Sequence, residues 1–143
     1  MEQVVTDCVP GVMTLTDFLA EHSIEGIEKE IVVSERLKNF KFKIRALSSA
    51  EFNDSQKLAI RFDAKGKPQF NSMLFHIQII IRGCVYPNFK LETFVKACGC
   101  STPEQVIVKK LLPGEIVEIA KQIITLSGFD DDINDDIEEV KNY

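Results

Sequence analysis

The stretch from Tyr86 to Phe129, YPNFKLETFVKACGCSTPEQVIVKKLLPGEIVEIAKQIITLSGF, strings three helical patterns between separate stop signals. Pro87 disfavours helical geometry at Tyr86, so whatever precedes it ends there. A helix near Leu91 to Cys98 follows. Thr102-Pro103-Glu104-Gln105 then predicts a new start, with Thr102 as N-cap, Pro103 at the first helical position and Gln105 closing a capping box. Pro113-Gly114-Glu115 breaks and restarts the chain. Ile116, Ile119, Ala120, Ile123 and Leu126 form one stripe of the last helix. Gly128 closes that helix in the left-handed conformation glycine adopts cheaply. Gly114 and Gly128 are read as structural. This punctuation carries no catalytic constellation, so the stretch reads as scaffold or interaction surface.

Working towards the N-terminus, Asn71 to Val85 is the most hydrophobic segment, with Met73, Leu74, Ile77, Ile80, Ile81 and Cys84 at helical spacing. Its β-branched run leaves a buried strand as the alternative, but the length favours a central core helix. Lys65-Gly66-Lys67-Pro68 is a loop. Ser48-Ser49-Ala50-Glu51 is a capping box that launches a helix through about Asp63, with Phe52, Leu58, Ala59 and Phe62 on its apolar side. Phe40 to Leu47 alternates strictly, placing Phe40, Phe42, Ile44 and Ala46 on one face and Lys41, Lys43 and Arg45 on the other. With Glu30 to Ser34 and a short link over residues 35–39, it predicts an antiparallel hairpin. Thr14 caps a short helix over Leu15, Phe18 and Leu19. Pro10-Gly11 marks a loop before it. The expected fold class is α+β: a mainly helical single domain with one antiparallel β-hairpin. It spans residues 1–129, with 1–13 as a flexible lead, and is followed by an acidic amphipathic tail over 130–143.

Charge separates the tail from the body. The chain carries −5, and residues 130–143 hold seven acidic side chains and one lysine, or −6, so the first 129 residues sum to +1. A near-neutral body gives no electrostatic footprint for nucleic acid, and the tail repels phosphate. Lys109-Lys110 and Lys41/Lys43/Arg45 read as solvated faces, and a helix-turn-helix drawn over Leu91 to Leu112 lacks a basic recognition helix. No apolar run approaches membrane-spanning length, and the acidic first residues have the wrong polarity for a signal peptide. The expected location is therefore the cytoplasm, with no membrane association.

Four cysteines, Cys8, Cys84, Cys98 and Cys100, lack disulfide or zinc spacing and read as free thiols, Cys98 packing as a small hydrophobe. His22 and His76 stand apart and in no nucleophile motif. Gly66-Lys67 lacks the rest of a phosphate loop. Asp130, Asp131, Asp132, Asp135 and Asp136 lack the glycine and glutamate of a calcium loop, and read as solvated charge. No catalytic, cofactor-binding or metal-binding residue is assigned, and no cofactor is expected. Ile133, Ile137 and Val140 recur at helical spacing through the tail, open either to packing on the chain's own core or to docking on a partner.

The hairpin ending in FKFKIRAL, the capped SSAEFND helix, the segment ending in CVYPNF and the LLPGEIVEIAKQIITLSGF block together resemble one family. They are similar to the XkdN-like tail assembly chaperones encoded by tailed phages, PBSX-type prophages and phage-tail-like particles. The resemblance covers about Glu30 to Asn142. It implies a non-enzymatic protein of the bacterial host cytoplasm, acting in assembly of a contractile tail. Such a chaperone binds and solubilises the tape-measure protein and is absent from the mature particle. Further partners implied are the tail tube protein and a second copy of the chain. The partner-binding residues expected on this reading are Phe129, Ile133, Ile137 and Val140. The alternative is a structural protein retained in the tail tube or baseplate.

Overall fold

The computed structural model describes residues 13–129. The tail residues Ile133, Ile137 and Val140, and all but the last residue of the 1–13 lead, lie outside that range. The described chain is an α+β arrangement of six helices with small antiparallel sheets.

Thr14 caps α1 (Leu15–Glu21), its Oγ1 accepting from the Asp17 amide at 3.1 Å. Strands β1 (Glu28–Ile31) and β2 (Phe42–Arg45) pair antiparallel, Ile31 opposite Phe42 and Glu28 opposite Arg45. The expected hairpin is therefore present, with shorter strands and a longer link than 30–34 and 40–47. Phe42, Ile44 and Ala46 face the core as the alternation required, but Phe40 does not: it lies before β2 and is exposed. Residues 34–40 turn through successive backbone hydrogen bonds, such as Phe40 N to Leu37 O, so the two-residue period starts after Phe40.

Ser48 caps α2 (Ser49–Leu58) with both halves of the box formed: the Glu51 amide donates to Ser48 Oγ, and the Ser48 amide donates to the Glu51 carboxylate. This helix does not continue to Asp63. It stops at Leu58, and a second hairpin follows, β3 (Ile60–Phe62) against β4 (Pro68–Phe70), with Ile60 opposite Phe70 and Phe62 opposite Pro68. Ile60-Arg61-Phe62 alternates around a β-branched and an aromatic residue, which suits a strand. Asp63 then folds the turn: its carboxylate accepts the amides of Lys65 and Lys67, both at 2.9 Å, and Gly66 takes φ +80. What read as a loop is the turn of a hairpin.

Helix α3 (Ser72–Gly83) is the central helix, as its length indicated, and it runs directly into β5 (Cys84–Tyr86). β5 pairs with β2, so the first sheet has three strands in the order β1-β2-β5. The Tyr86–Pro87 peptide is cis. Helices α4 (Glu92–Ala97), α5 (Pro103–Lys110) and α6 (Pro113–Leu126) complete the chain. Thr102 caps α5 as expected, but Gln105 reaches back to the Ser101 amide, one residue beyond a standard box.

The core lies where α3 meets α6 and α5 and where α6 crosses β2. Ile44, Ile79, Ile80, Ile107, Ile119 and Ile123 are fully buried there. Each such side chain contributes on the order of 2 kcal/mol of apolar burial. Gly83 allows the close approach of the two main helices: a Cβ at that position would stand 2.6 Å from Ile123 Cγ2.

Candidate functional site

Three features of the described residues could carry function: polar clusters, thiols and uncovered apolar faces. The polar clusters turn out to hold the fold together. Glu115 is only 3% exposed and receives four hydrogen bonds: Ser34 Oγ at 2.6 Å, Arg36 Nη2 at 2.7 Å, Arg36 Nε at 3.0 Å and the Leu112 amide at 2.8 Å. The Arg36 guanidinium, then burial opposing it, then the Ser34 hydroxyl set its pKa, which falls to about 2. Leu112 offers no side-chain oxygen, so the cap is one-sided: the Glu115 carboxylate takes the Leu112 amide while it holds the link between β1 and β2. This is the physical content of the Leu-Leu-Pro-Gly-Glu signature.

The Leu-Ser-Gly-Phe signature is similar. Ser127 Oγ donates to Ile123 O at 2.7 Å and accepts the Leu47 amide at 2.8 Å, tying the end of α6 to the end of β2. Gly128 has φ +111, as the cap reading required. Phe129 stacks on Phe52 with ring centroids 5.1 Å apart. A second ion pair joins Arg45 to Glu51, whose pKa also falls to about 2, chiefly through that arginine. Gln78 is buried and bridges Glu104 and Arg82, joining α3 to α5.

Burial pushes the Cys84 thiol up to about 12, which suppresses thiolate chemistry. Cys98 packs partly buried against the core and Cys100 is buried. His76 is half-buried on α3 beside the Phe75 ring, while His22 stacks on Phe18 at the exposed end of α1. The described residues bring together no group of three His, Cys, Asp or Glu side chains suited to a metal ion. No described helix is long and apolar enough to cross a membrane.

The apolar faces are different in kind. On the second hairpin Ile60, Phe62, Pro68 and Phe70 project from one side, by the two-residue period and their register, and Phe62 is 70% exposed. Leu58, at the end of α2 before the hairpin, and Met73, at the start of α3 after it, are also exposed. Along α1, Leu15, Phe18 and Leu19 are all exposed and no residue of the helix is buried. The helix formed from its cap and periodicity, but none of its residues joins the buried core among the described residues. Phe129, the one predicted contact residue within the described range, connects to the hairpin. Its ring meets Phe52, Phe52 meets Phe75 edge-on at 5.6 Å, and Phe75 meets Phe70 at 5.6 Å. Sequence reading missed the hairpin face because Phe62 was assigned to a helix. The alternation of Ile60 and Phe62 about Arg61, ahead of Asp63 and Gly66, was the signal available.

A small α+β domain with a sealed core, polar clusters spent on its own joints and apolar side chains left outside has the build of an interaction module. The comparisons with known proteins give the particular kind. Residues 15–141 match the family described as Phage XkdN-like tail assembly chaperone protein, and the chain belongs to that family. It is 28% identical over 141 residues to YqbN of Bacillus subtilis strain 168, covering 92% of this chain and 95% of that protein. It is 26% identical over 142 residues to the phage-like element PBSX protein XkdN of the same strain, covering 92% and 96%. The crystal structure of YqbN is similar in fold, with a TM-score of 0.62, 24% identity, and coverage of 83% of this chain and 99% of that one.

Proposed function

We propose that this tail assembly chaperone acts by binding, not by catalysis. It holds the tape-measure protein in soluble form in the cytoplasm of the bacterial host while a contractile tail assembles, and it is not retained in the finished particle. The observation that carries this reading is the pair of exposed apolar faces, on the hairpin and on α1, displayed by a chain of this family. A long helical partner with apolar stripes would aggregate if left bare, and reversible cover requires a small folded protein with apolar surface outside its core. The contact surface on this reading comprises the hairpin face, Phe129 and the tail residues Ile133, Ile137 and Val140. The seven tail carboxylates add selectivity for basic segments.

Co-expression with the tape-measure protein of the same tail cluster, followed by affinity purification, tests the binding. The expected result is a stable complex and a soluble tape measure. An insoluble tape measure and no co-purification would overturn the reading. Mass spectrometry of purified particles tests release. Absence of the chain is expected, and stoichiometric presence would make it a retained tube or baseplate component instead.

A further inference from the structure

The two exposed apolar faces are opposite in charge and alike in size. Residues 15–30 are all exposed, so α1 and the link after it stand on the outside of the fold as an arm. Leu15, Phe18 and Leu19 lie on one side of α1 at three- and four-residue spacing, and Glu21 neighbours Phe18 by the same rule. Between residues 15 and 27 the charged side chains are Asp17, Glu21 and Glu25, all acidic. The hairpin is bounded by the opposite sign, with Lys57 in the last turn of α2 and Lys65 and Lys67 in the turn. Its own acidic residue, Asp63, is held by the Lys65 and Lys67 amides. No ion pair among the described residues uses any of these three lysines or of the three acids on the arm.

The backbone selects the kind of occupant. Arg61 lies on the other side of the hairpin, where its Nη1 donates to Leu58 O at 2.7 Å and to Ile60 O at 3.2 Å. Pro68 brings no amide. Both strand edges are thereby blunted against an added strand, and the side-chain face of Ile60, Phe62 and Phe70 is what the hairpin offers. The seven residues of α1 extend about 10 Å, and the three-residue strands are also about 10 Å long.

The arm is rooted far from the hairpin of its own chain. Ser23 to Gly26, in the link after α1, line a cleft with Ala46, Ser48 and Glu51 at the start of α2. The hairpin leaves from the other end of that helix, ten residues and about 15 Å on. Departure from opposite ends of one helix suits contact between copies better than contact within one.

We propose that the chain associates head to tail, α1 of one copy lying on the hairpin face of the next. Phe18 and Leu19 meet Ile60 and Phe62, and the acids of the arm sit among the lysines. Because the contact joins two different surfaces, it does not stop at two copies: every row ends in a free arm and a free hairpin. So small an interface is weak and governed by concentration. The association belongs to the chain alone and does not rest on the tape-measure reading.

Sedimentation of the full chain over a range of concentrations should show an average mass that climbs past that of two copies, and added salt should lower it. Phe18→Ser/Leu19→Ser spoils only the arm and Phe62→Ser only the hairpin. All three positions are exposed, so both variants should keep the circular dichroism of the parent. Each alone should be monomeric. Mixed in equal amounts they should form dimers and nothing larger, because one intact arm then meets one intact hairpin. Glu21→Lys should weaken association, and adding Lys65→Glu/Lys67→Glu to the same chain should restore it. A parent that stays monomeric, association that survives either apolar variant alone, or a mixture that stays monomeric would overturn the proposal. A monomeric parent would leave the tape-measure reading untouched, and failed co-purification would leave the association untouched.

Discussion

Replacing the Glu115 carboxylate by an amide would keep its volume while removing the charge that Arg36 and Ser34 meet. Glu115→Gln should cost about 2 kcal/mol, the order seen when a hydrogen-bonded charged group is lost from a buried site, and denaturant unfolding would read it. The pH dependence follows from the same geometry. Glu115 and Glu51 titrate near 2 when folded, below the ordinary value of 4.5, so they favour the folded state above pH 4.5. That contribution drains away as pH falls from about 4.5 towards 2, and a Glu115→Gln chain should lose less stability over that window than the parent. Gly83 gives a steric counterpart. Gly83→Ala would press a methyl onto Ile123 and should cost about 1–3 kcal/mol, the usual range for overpacking. An unchanged midpoint in that variant would mean that α3 and α6 slide apart freely.

Among the elements, the end of α6 and the second hairpin respond to substitution in opposite ways. Gly128 has φ +111 and open space around it, so Gly128→Val should be felt through the backbone alone, at roughly 1 kcal/mol or more, lowering the melting temperature by about 4 °C. Phe62→Ser should change stability by less than about 0.5 kcal/mol because that ring is mostly exposed, yet on the function proposed above it should weaken co-purification with the tape measure. Caps and periods made much of this level legible in the residues. Thr14, Ser48 and Thr102 cap their helices where the pattern put them, and the α6 stripe is buried from Ile116 to Ile123, with Leu126 partly buried at its end. The second hairpin was hidden because a capped helix runs into it with no proline or glycine until Gly66, and hydrophobic residues at 58, 59 and 62 fit a helical face as well as a strand. β5 was hidden because it continues a strongly helical segment for three residues, and only the partner strand β2, far away in sequence, makes it a strand.

At the scale of the whole molecule, the buried core cluster of the described residues runs from Ile31 to Ile124. Ending the chain after Phe129 should therefore leave a single cooperative unfolding transition, which calorimetry would show. The acidic segment is thus expected to matter for association more than for folding. Its presence was plain in the composition, and so was its apolar stripe. The candidate surface was legible at one end only, through Phe129.

The seals at Glu115 and Ser127 also set an order of events during synthesis. Arg36 leaves the ribosome 79 residues before Glu115, and the Leu47 amide 80 residues before Ser127. At bacterial elongation rates of about 5–20 residues per second, that gap lasts roughly 4 to 16 s. In its later part the isoleucines of α3 have emerged, and the helix that shields them has not. A member of a tail assembly chaperone family thus begins life with an apolar stripe of its own bare. Nascent chains arrested before Pro113 should be cut rapidly by protease, and chains carried past Phe129 should resist.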